Sequence, residues 1–226
     1  MTAKPPNTDI AGVVLCGGQS RRMGLSKAML PFGAETMLVR TVRLLLQATD
    51  TVCVVAASGQ ELPQLPASVR IVRDERQGNG PLEGLRVGLS ALRGESAAAF
   101  VTGCDTPLLI PAFVTRAFEL LGENDVAVPR IDGLYHPLAA VYSTSVVPKI
   151  EALLAAGRMR PVYLYESVPP RELTAAELSA VDPDLSTLVN LNRPEDYLAA
   201  LATAGFSPDP AILRALAQSE EPHDRA

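Results

Sequence analysis

The apolar run IAGVVLC, residues 10–16, passes directly into Gly17-Gly18, and this junction constrains the chain more than any other feature. A short uncharged run that stops at glycine reads as a buried strand rather than a helix. The pattern then alternates. Leu38, Val42 and Leu45 recur at helical spacing within residues 35–48, and Leu82, Leu85, Leu89 and Leu92 mark one face of another helix. Pro111 opens a helix with the stripe Phe113, Ala117, Leu120 and Leu121, which Gly122 closes, and Val146, Ile150, Leu153 and Leu154 form a further stripe. Strands are predicted at residues 51–56, 69–73, 97–102, 125–128, 137–142 and 188–191. A last helix starts near Pro194, capped by Asn192 with Glu195 three residues on.

Strands alternating with helices imply an α/β fold of three layers. A mostly parallel twisted sheet carries helices on both faces, and its crossovers are right-handed. Ligands in such folds bind outside the carboxyl ends of the strands. The 226 residues suit one domain, expected over residues 1–204. Residues 205–226, with Pro208 and Pro210 and the polar end SEEPHDRA, read as a C-terminal tail holding one small helix at 211–218 and a disordered end.

Composition narrows the function classes. A net charge of −5 argues against a broad nucleic-acid or membrane face. No apolar run approaches the ~18 residues that span a bilayer. Residues 1–6 lack an apolar h-region, so no signal peptide is expected. Cys16, Cys53 and Cys104 lack metal-finger spacing and read as small buried hydrophobes in a reducing cytoplasm. His136, before Pro137, reads as structural or as part of a rim, and His223 falls in the tail.

The loop after the first strand, Gly17-Gly18-Gln19-Ser20-Arg21-Arg22-Met23-Gly24-Leu25-Ser26-Lys27, carries three glycines and three cations. Glycines let backbone N–H groups approach an anion, and Arg22 and Lys27 add charge where a triphosphate would lie. The alternative is a solvated surface loop. A Walker A loop is excluded because Leu25 follows Gly24, and residues 78–84 have one residue too many for Gly-x-Gly-x-x-Gly. Asp105, just past the strand at 97–102, is a natural Mg²⁺ ligand, with an N-cap or Asx-turn role before Pro107 as the alternative, and the two roles can coexist. Lys27 and Arg22 would stabilise a pentavalent transition state and a leaving pyrophosphate, and Arg21 is less determined. A phosphate oxygen as nucleophile is already an anion, so no general base is needed. Leu15, Cys16 and Gly17 would present backbone groups to a base.

The loop resembles the Leu-Ala-Gly-Gly-x-x-x-Arg-Met-Gly-x-x-Lys signature of the nucleotidyltransferases that act on the molybdenum cofactor and on sugar phosphates. Asp74 followed by Gly80-Pro81-Leu82-x-Gly84, Cys104-Asp105-Thr106-Pro107 and Asn190-Leu191-Asn192-Arg193-Pro194 resemble three further elements of that family, in order, across residues 10–201. The resemblance implies a Rossmann-like nucleotide-diphospho-sugar transferase fold and, most specifically, a molybdenum cofactor guanylyltransferase. It implies GTP and a molybdopterin-type phosphate as substrates, Mg²⁺ held by Asp105, and a molybdoenzyme or cofactor chaperone as protein partner. It places Gly17, Gly18, Asp74, Gly80 and Pro81 on the nucleotide, with Asn190 and Asn192, on one strand face, near the second metal or the pterin. Asp74 has the alternative of a solvated loop residue, and Asn192 that of a helix cap. Residues 157–160, Gly-Arg-Met-Arg, either reach the second substrate's phosphate or end a helix.

Three departures bear on base identity. Cys16 replaces the family's alanine, Ser26 stands where an aspartate often precedes the lysine, and Ala56-Ala57-Ser58 lacks the usual asparagine. Cytidylyl relatives tend to carry Leu-Ala-Ala-Gly, so Gly17 favours guanine. The rival readings are the same chemistry with CTP, a sugar-1-phosphate nucleotidyltransferase, and a non-catalytic cofactor-delivery protein.

Overall fold

The structure, a computed structural model, describes residues 10–16, 26–74 and 80–219. Its elements run β1 (Ile10–Leu15), β2 (Pro31–Phe32), β3 (Glu35–Thr36), α1 (Met37–Leu45), β4 (Thr51–Ala57), β5 (Arg70–Asp74), α2 (Gly80–Leu92), β6 (Ala98–Gly103) and α3 (Pro111–Leu121). There follow β7 (Val126–Ile131), β8 (Leu134–Tyr135), β9 (Ala139–Ser143), α4 (Val147–Ala155), β10 (Arg171–Leu173), α5 (Ala175–Leu178), α6 (Pro194–Thr203) and α7 (Pro210–Ser219). The main sheet has the order β10-β7-β9-β6-β1-β4-β5, with β8 paired to β7. The β1–β4, β1–β6, β4–β5 and β7–β10 pairs are parallel. β9 alone in that path runs against its neighbours β6 and β7. The reason lies in its connection. Residues 132–138 hold only a tight turn and β8, whereas a parallel return needs a long crossover, normally a helix.

Side-chain alternation along β1 builds the two faces. Ala11, Val13 and Leu15 enter the core shared with α2 and α4, while Val14 and Cys16 enter the core shared with α1 and α3. Two glycines allow the close approach of helices on either side. A Cβ on Gly12 would lie 2.3 Å from Leu45 of α1, and one on Gly88 of α2 would lie 2.5 Å from Val13. The leucine stripe of α2 is buried at Leu82, Leu85, Leu89 and Leu92, as its spacing predicts. Among the described residues no helix is long and apolar enough to cross a membrane.

Two sequence expectations need correction. Residues 188–191 form no strand. The Asp182 carboxylate accepts the N–H groups of Ser186 and Thr187, each at 2.9 Å, and draws the chain into a 3-10 turn at Ser186–Leu188. Nor does the Asn192 side chain cap α6. The Asp196 carboxylate reaches back to accept the N–H groups of Asn192 at 3.0 Å and Arg193 at 2.9 Å.

The segment read as a tail is packed over part of its length. Phe206 meets Phe32 edge to face at 5.6 Å, and Leu216 of α7 is buried. Leu216 belongs to a third, smaller cluster with Leu30, Met37, Leu191 and Tyr197, set apart from the two cores of the sheet, and Phe206 packs against it. The disordered end expected from the sequence lies beyond the described residues.

Candidate active site at the carboxyl ends of the strands

At the carboxyl end of β6 the chain turns sharply. The Thr106 hydroxyl donates to the Gly103 carbonyl at 2.9 Å and lies 2.8 Å from the Thr102 hydroxyl, and Leu191 N–H donates to the Asp105 carbonyl at 3.0 Å. This turn fixes Asp105. Its Oδ2 accepts from Lys27 Nζ at 2.8 Å, and the same ammonium donates to Asn192 Oδ1 at 3.0 Å. The pair is largely withdrawn from water, with side chains 16% and 20% exposed, so its electrostatics are stronger than those of a surface ion pair. Lys27 opens a 3-10 turn whose Ala28 and following Leu30 are buried, which roots the lysine in the fold.

Residues 27, 105 and 192 are thus brought together from three distant places in the chain. The Asp105 carboxylate faces a lysine, and the N-cap of α3 is Ile110 rather than Asp105, its N–H donating to Thr187 Oγ1 at 3.0 Å. Sequence reasoning missed Gly103. A Cβ there would lie 2.3 Å from Asp105 Oδ1, so only glycine leaves that carboxylate its place. The signal was a glycine two residues before the acid, at a strand end.

At the end of β1, backbone groups of Leu15 and Cys16, two of the three residues expected to face the base, are already engaged. Cys16 N–H donates to the Val55 carbonyl at 2.8 Å, completing the ladder with β4, and Cys104 N–H donates to the Leu15 carbonyl at 3.0 Å. The Cys16 N–H is therefore not a free donor to a base. Gln60 was also missed. Its amide donates to the Cys16 carbonyl at 3.1 Å and accepts from Ala57 N–H at 3.0 Å, so it braces the ends of β1 and β4 beside Ala56-Ala57-Ser58, the stretch that lacks the family's asparagine. The Cys16 thiol is pushed far above its ordinary value by its hydrogen bond with Cys104, then by burial, and Cys53 is pushed up to about 11 by burial. Thiols so raised stay protonated at neutral pH and are poor nucleophiles.

Asp74 ends β5, where its carbonyl accepts from Ser58 N–H at 3.2 Å and its charge helps raise Arg86. Gly80 takes a left-handed φ of 67° at the start of α2, and the exposed Pro81 follows it. Pro81 also borders a cavity of about 270 Å³, whose other walls include Tyr135, His136, Pro137, Leu188 and Asn190. Asn190 and Asn192 thus diverge, one to the cavity and the other to Lys27. His136 lines this cavity half-buried, and burial holds its imidazole below the usual value. The wall beneath it is braced by buried tyrosines: the Tyr142 hydroxyl donates to the Pro137 carbonyl at 2.9 Å and lies 2.9 Å from the Tyr165 hydroxyl. Arg158 turns elsewhere, paired with Glu166 and stacked 4.2 Å from the Tyr163 ring centroid. Gly17, Gly18, Arg21 and Arg22 lie outside the described residues.

Comparison with known proteins gives a consistent result. A family model described as MobA-like NTP transferase domain matches residues 12–170. A probable molybdenum cofactor guanylyltransferase of Mycolicibacterium paratuberculosis is 40% identical over 200 residues, covering 86% of this chain and 96% of that protein. One from Methanosarcina mazei is 34% identical over 199 residues, covering 82% and 87%. The crystal structure of molybdopterin-guanine dinucleotide biosynthesis protein A from Archaeoglobus fulgidus is similar in fold, with a TM-score of 0.71 at 20% identity, covering 86% of this chain and 98% of that one.

Proposed function

The chain belongs to the MobA-like NTP transferase domain family, and from that premise we propose that it transfers GMP from GTP to the phosphate of molybdenum-bearing molybdopterin, forming the guanine dinucleotide cofactor and releasing pyrophosphate. The relatives named molybdenum cofactor guanylyltransferase support the choice of reaction. The observation that carries it in this molecule is the convergence of Lys27, Asp105 and Asn192 at the carboxyl ends of β1 and β6.

In this reading an oxygen of the acceptor phosphate attacks the α-phosphorus of GTP, and the α–β bridging oxygen leaves with pyrophosphate. Lys27 stabilises the negative charge that gathers on the phosphoryl oxygens, as a cation held in place before the reaction. Asn192 keeps that ammonium oriented. Arg22 and the backbone of Gly17 and Gly18 complete the triphosphate cradle, and Asp74, Gly80 and Pro81 border the nucleotide. The cavity beside Pro81 and Asn190 receives the acceptor.

The described residues gather no group of three or more His, Cys, Asp or Glu side chains, so they build no cage made of protein alone. One partly exposed carboxylate suits Mg²⁺, which is commonly held by one or two carboxylates together with substrate phosphates and water. Asp105 would hold it, and the ion would neutralise phosphate charge as pyrophosphate leaves. Three buried cysteines, all free thiols, fit a reducing compartment, and the reading places the enzyme in the cytoplasm.

The test is pyrophosphate release from GTP, CTP and ATP with molybdenum-bearing molybdopterin, with hexose-1-phosphates as the other acceptor, in Mg²⁺ and in chelator. Turnover with GTP and molybdopterin is expected. Faster turnover with CTP would reassign the base, turnover with hexose-1-phosphates would reassign the acceptor, and none at all would sink the enzymatic reading.

A further inference from the structure

We infer that residues 206–216 form a positioning element of this site, acting through Arg40 and Pro107 on the turn that holds Asp105. The inference rests on the reading that Asp105 and Lys27 work on a nucleoside triphosphate.

The chain of contacts is short. The Arg40 guanidinium lies 5.0 Å from the ring centroid of Phe32 and 5.5 Å from that of Phe206, so it is held against two aromatic rings. Its Nε donates to the Pro107 carbonyl at 2.8 Å, two residues past Asp105. Phe206 is seated from a second side as well: Gly33, at a φ of 68°, would carry a Cβ 2.7 Å from the Phe206 ring. The hairpin of β2 and β3 therefore turns on a glycine that makes room for this ring. Burial pushes the Arg40 guanidinium down from its ordinary value. A cation taken from water toward ring faces and one carbonyl gains most when its planar group keeps that geometry.

The same small cluster anchors all three polar residues of the site. Leu30 follows the turn that carries Lys27, Leu191 precedes Asn192, and Leu108 lies three residues after Asp105. Leu30 and Leu191 are members of the cluster that includes Leu216, and Leu108, Phe206 and Ile212 pack against it. Residues 206–216 thus complete the base on which the site stands. Loss of this base would let the Asp105 turn move while the sheet and its two large cores stay intact.

The test compares Arg40→Gln, Arg40→Lys and Phe206→Leu with the parent chain, in GMP transfer, thermal unfolding and hydrogen exchange of residues 103–109. Arg40→Gln and Phe206→Leu are expected to lower kcat between about tenfold and a hundredfold, with KM for GTP near the parent's, since small misplacement of reacting groups costs on that scale. Amides at 103–109 should exchange faster while those of α2 and α4 keep the parent's protection. Arg40→Lys should recover only part of kcat, because an ammonium lacks the planar fork. If kcat is unchanged, or falls only in proportion to the unfolded fraction, the inference is overturned. If Arg40→Gln does not fold, Arg40→Lys and Phe206→Leu decide it. If the parent transfers no GMP, the functional reading fails, and the exchange rates at 103–109 still decide the positioning role.

Discussion

The two cores that flank the sheet and the small cluster beneath Lys27, Asp105 and Asn192 are different kinds of structure. Each large core packs strand residues against helices, with members such as Val54, Phe100 and Phe113 on one face and Val13, Leu85 and Ile150 on the other. The small cluster draws on a hairpin, α6 and the C-terminal segment, and it touches the site through Leu30, Leu108 and Leu191. The large core on the α1 and α3 side also borders the site, through Ala28 and Cys104, so the difference is one of degree: most of each large core lies away from the site, whereas the small cluster flanks all three of its polar residues. Substitutions in the cores should cost folding free energy, and those around the small cluster should cost turnover.

The comparison is tested most severely at the site. Asp105→Asn keeps the volume but removes the charge that pairs Lys27, and kcat should fall by roughly 10²–10³ with little change in Tm. Loss of folding instead of turnover would break the comparison. In the core, Leu85→Ala, at a fully buried position of α2, should destabilise by about 3 kcal/mol in denaturant unfolding, with kcat per folded molecule unchanged.

Two glycines sharpen the same contrast. Gly103→Ala puts a methyl where Asp105 Oδ1 sits, so it should lower kcat by about tenfold or more through misplacement. Gly88→Ala forces α2 away from Val13 and should cost about 1–3 kcal/mol of stability with turnover retained. Equal effects of the two on kcat would contradict the division. Smaller again is Asp196→Ala, which removes the acceptor at the start of α6 and should cost about 1 kcal/mol in thermal unfolding.

The smallest expected effect is on pH dependence. Burial lowers the His136 imidazole below its ordinary 6.5, so the folded chain favours the neutral ring. As pH falls through 6.5 the unfolded chain takes up this proton first, and stability declines. Unfolding measured between pH 8 and about 5 should show a shallower decline in His136→Gln than in the parent. An unchanged slope would remove His136 from that account.

Much of the architecture was legible. The helical stripes at Leu82, Leu85, Leu89 and Leu92 and at Phe113 and Ala117 matched buried faces, because periodicity reports which side of an element meets a core. The β2–β3 hairpin was not legible, since two residues per strand leave no period to read. The antiparallel direction of β9 depends on how short its connection is, which an apolar run does not record. In the site, Lys27 and Asp105 were singled out by charge beside glycine and strand ends. Gln60 and Arg40 were not, because each acts through a backbone carbonyl far away in sequence, that of Cys16 and that of Pro107.

By itself, the sequence determined the alternation of strands and helices, the sheet they must form, and the strand ends where a charged ligand would meet cations and an acid. These follow from local periodicity, glycine placement and charge, which neighbours in the chain suffice to express. Only the tertiary structure decided that Lys27 pairs with Asp105, that Asn192 turns to the lysine while Asp196 caps α6, and that Phe206 closes on Arg40. Those outcomes are choices among competing partners for the same polar group. They are settled by which elements packing brings within hydrogen-bonding distance.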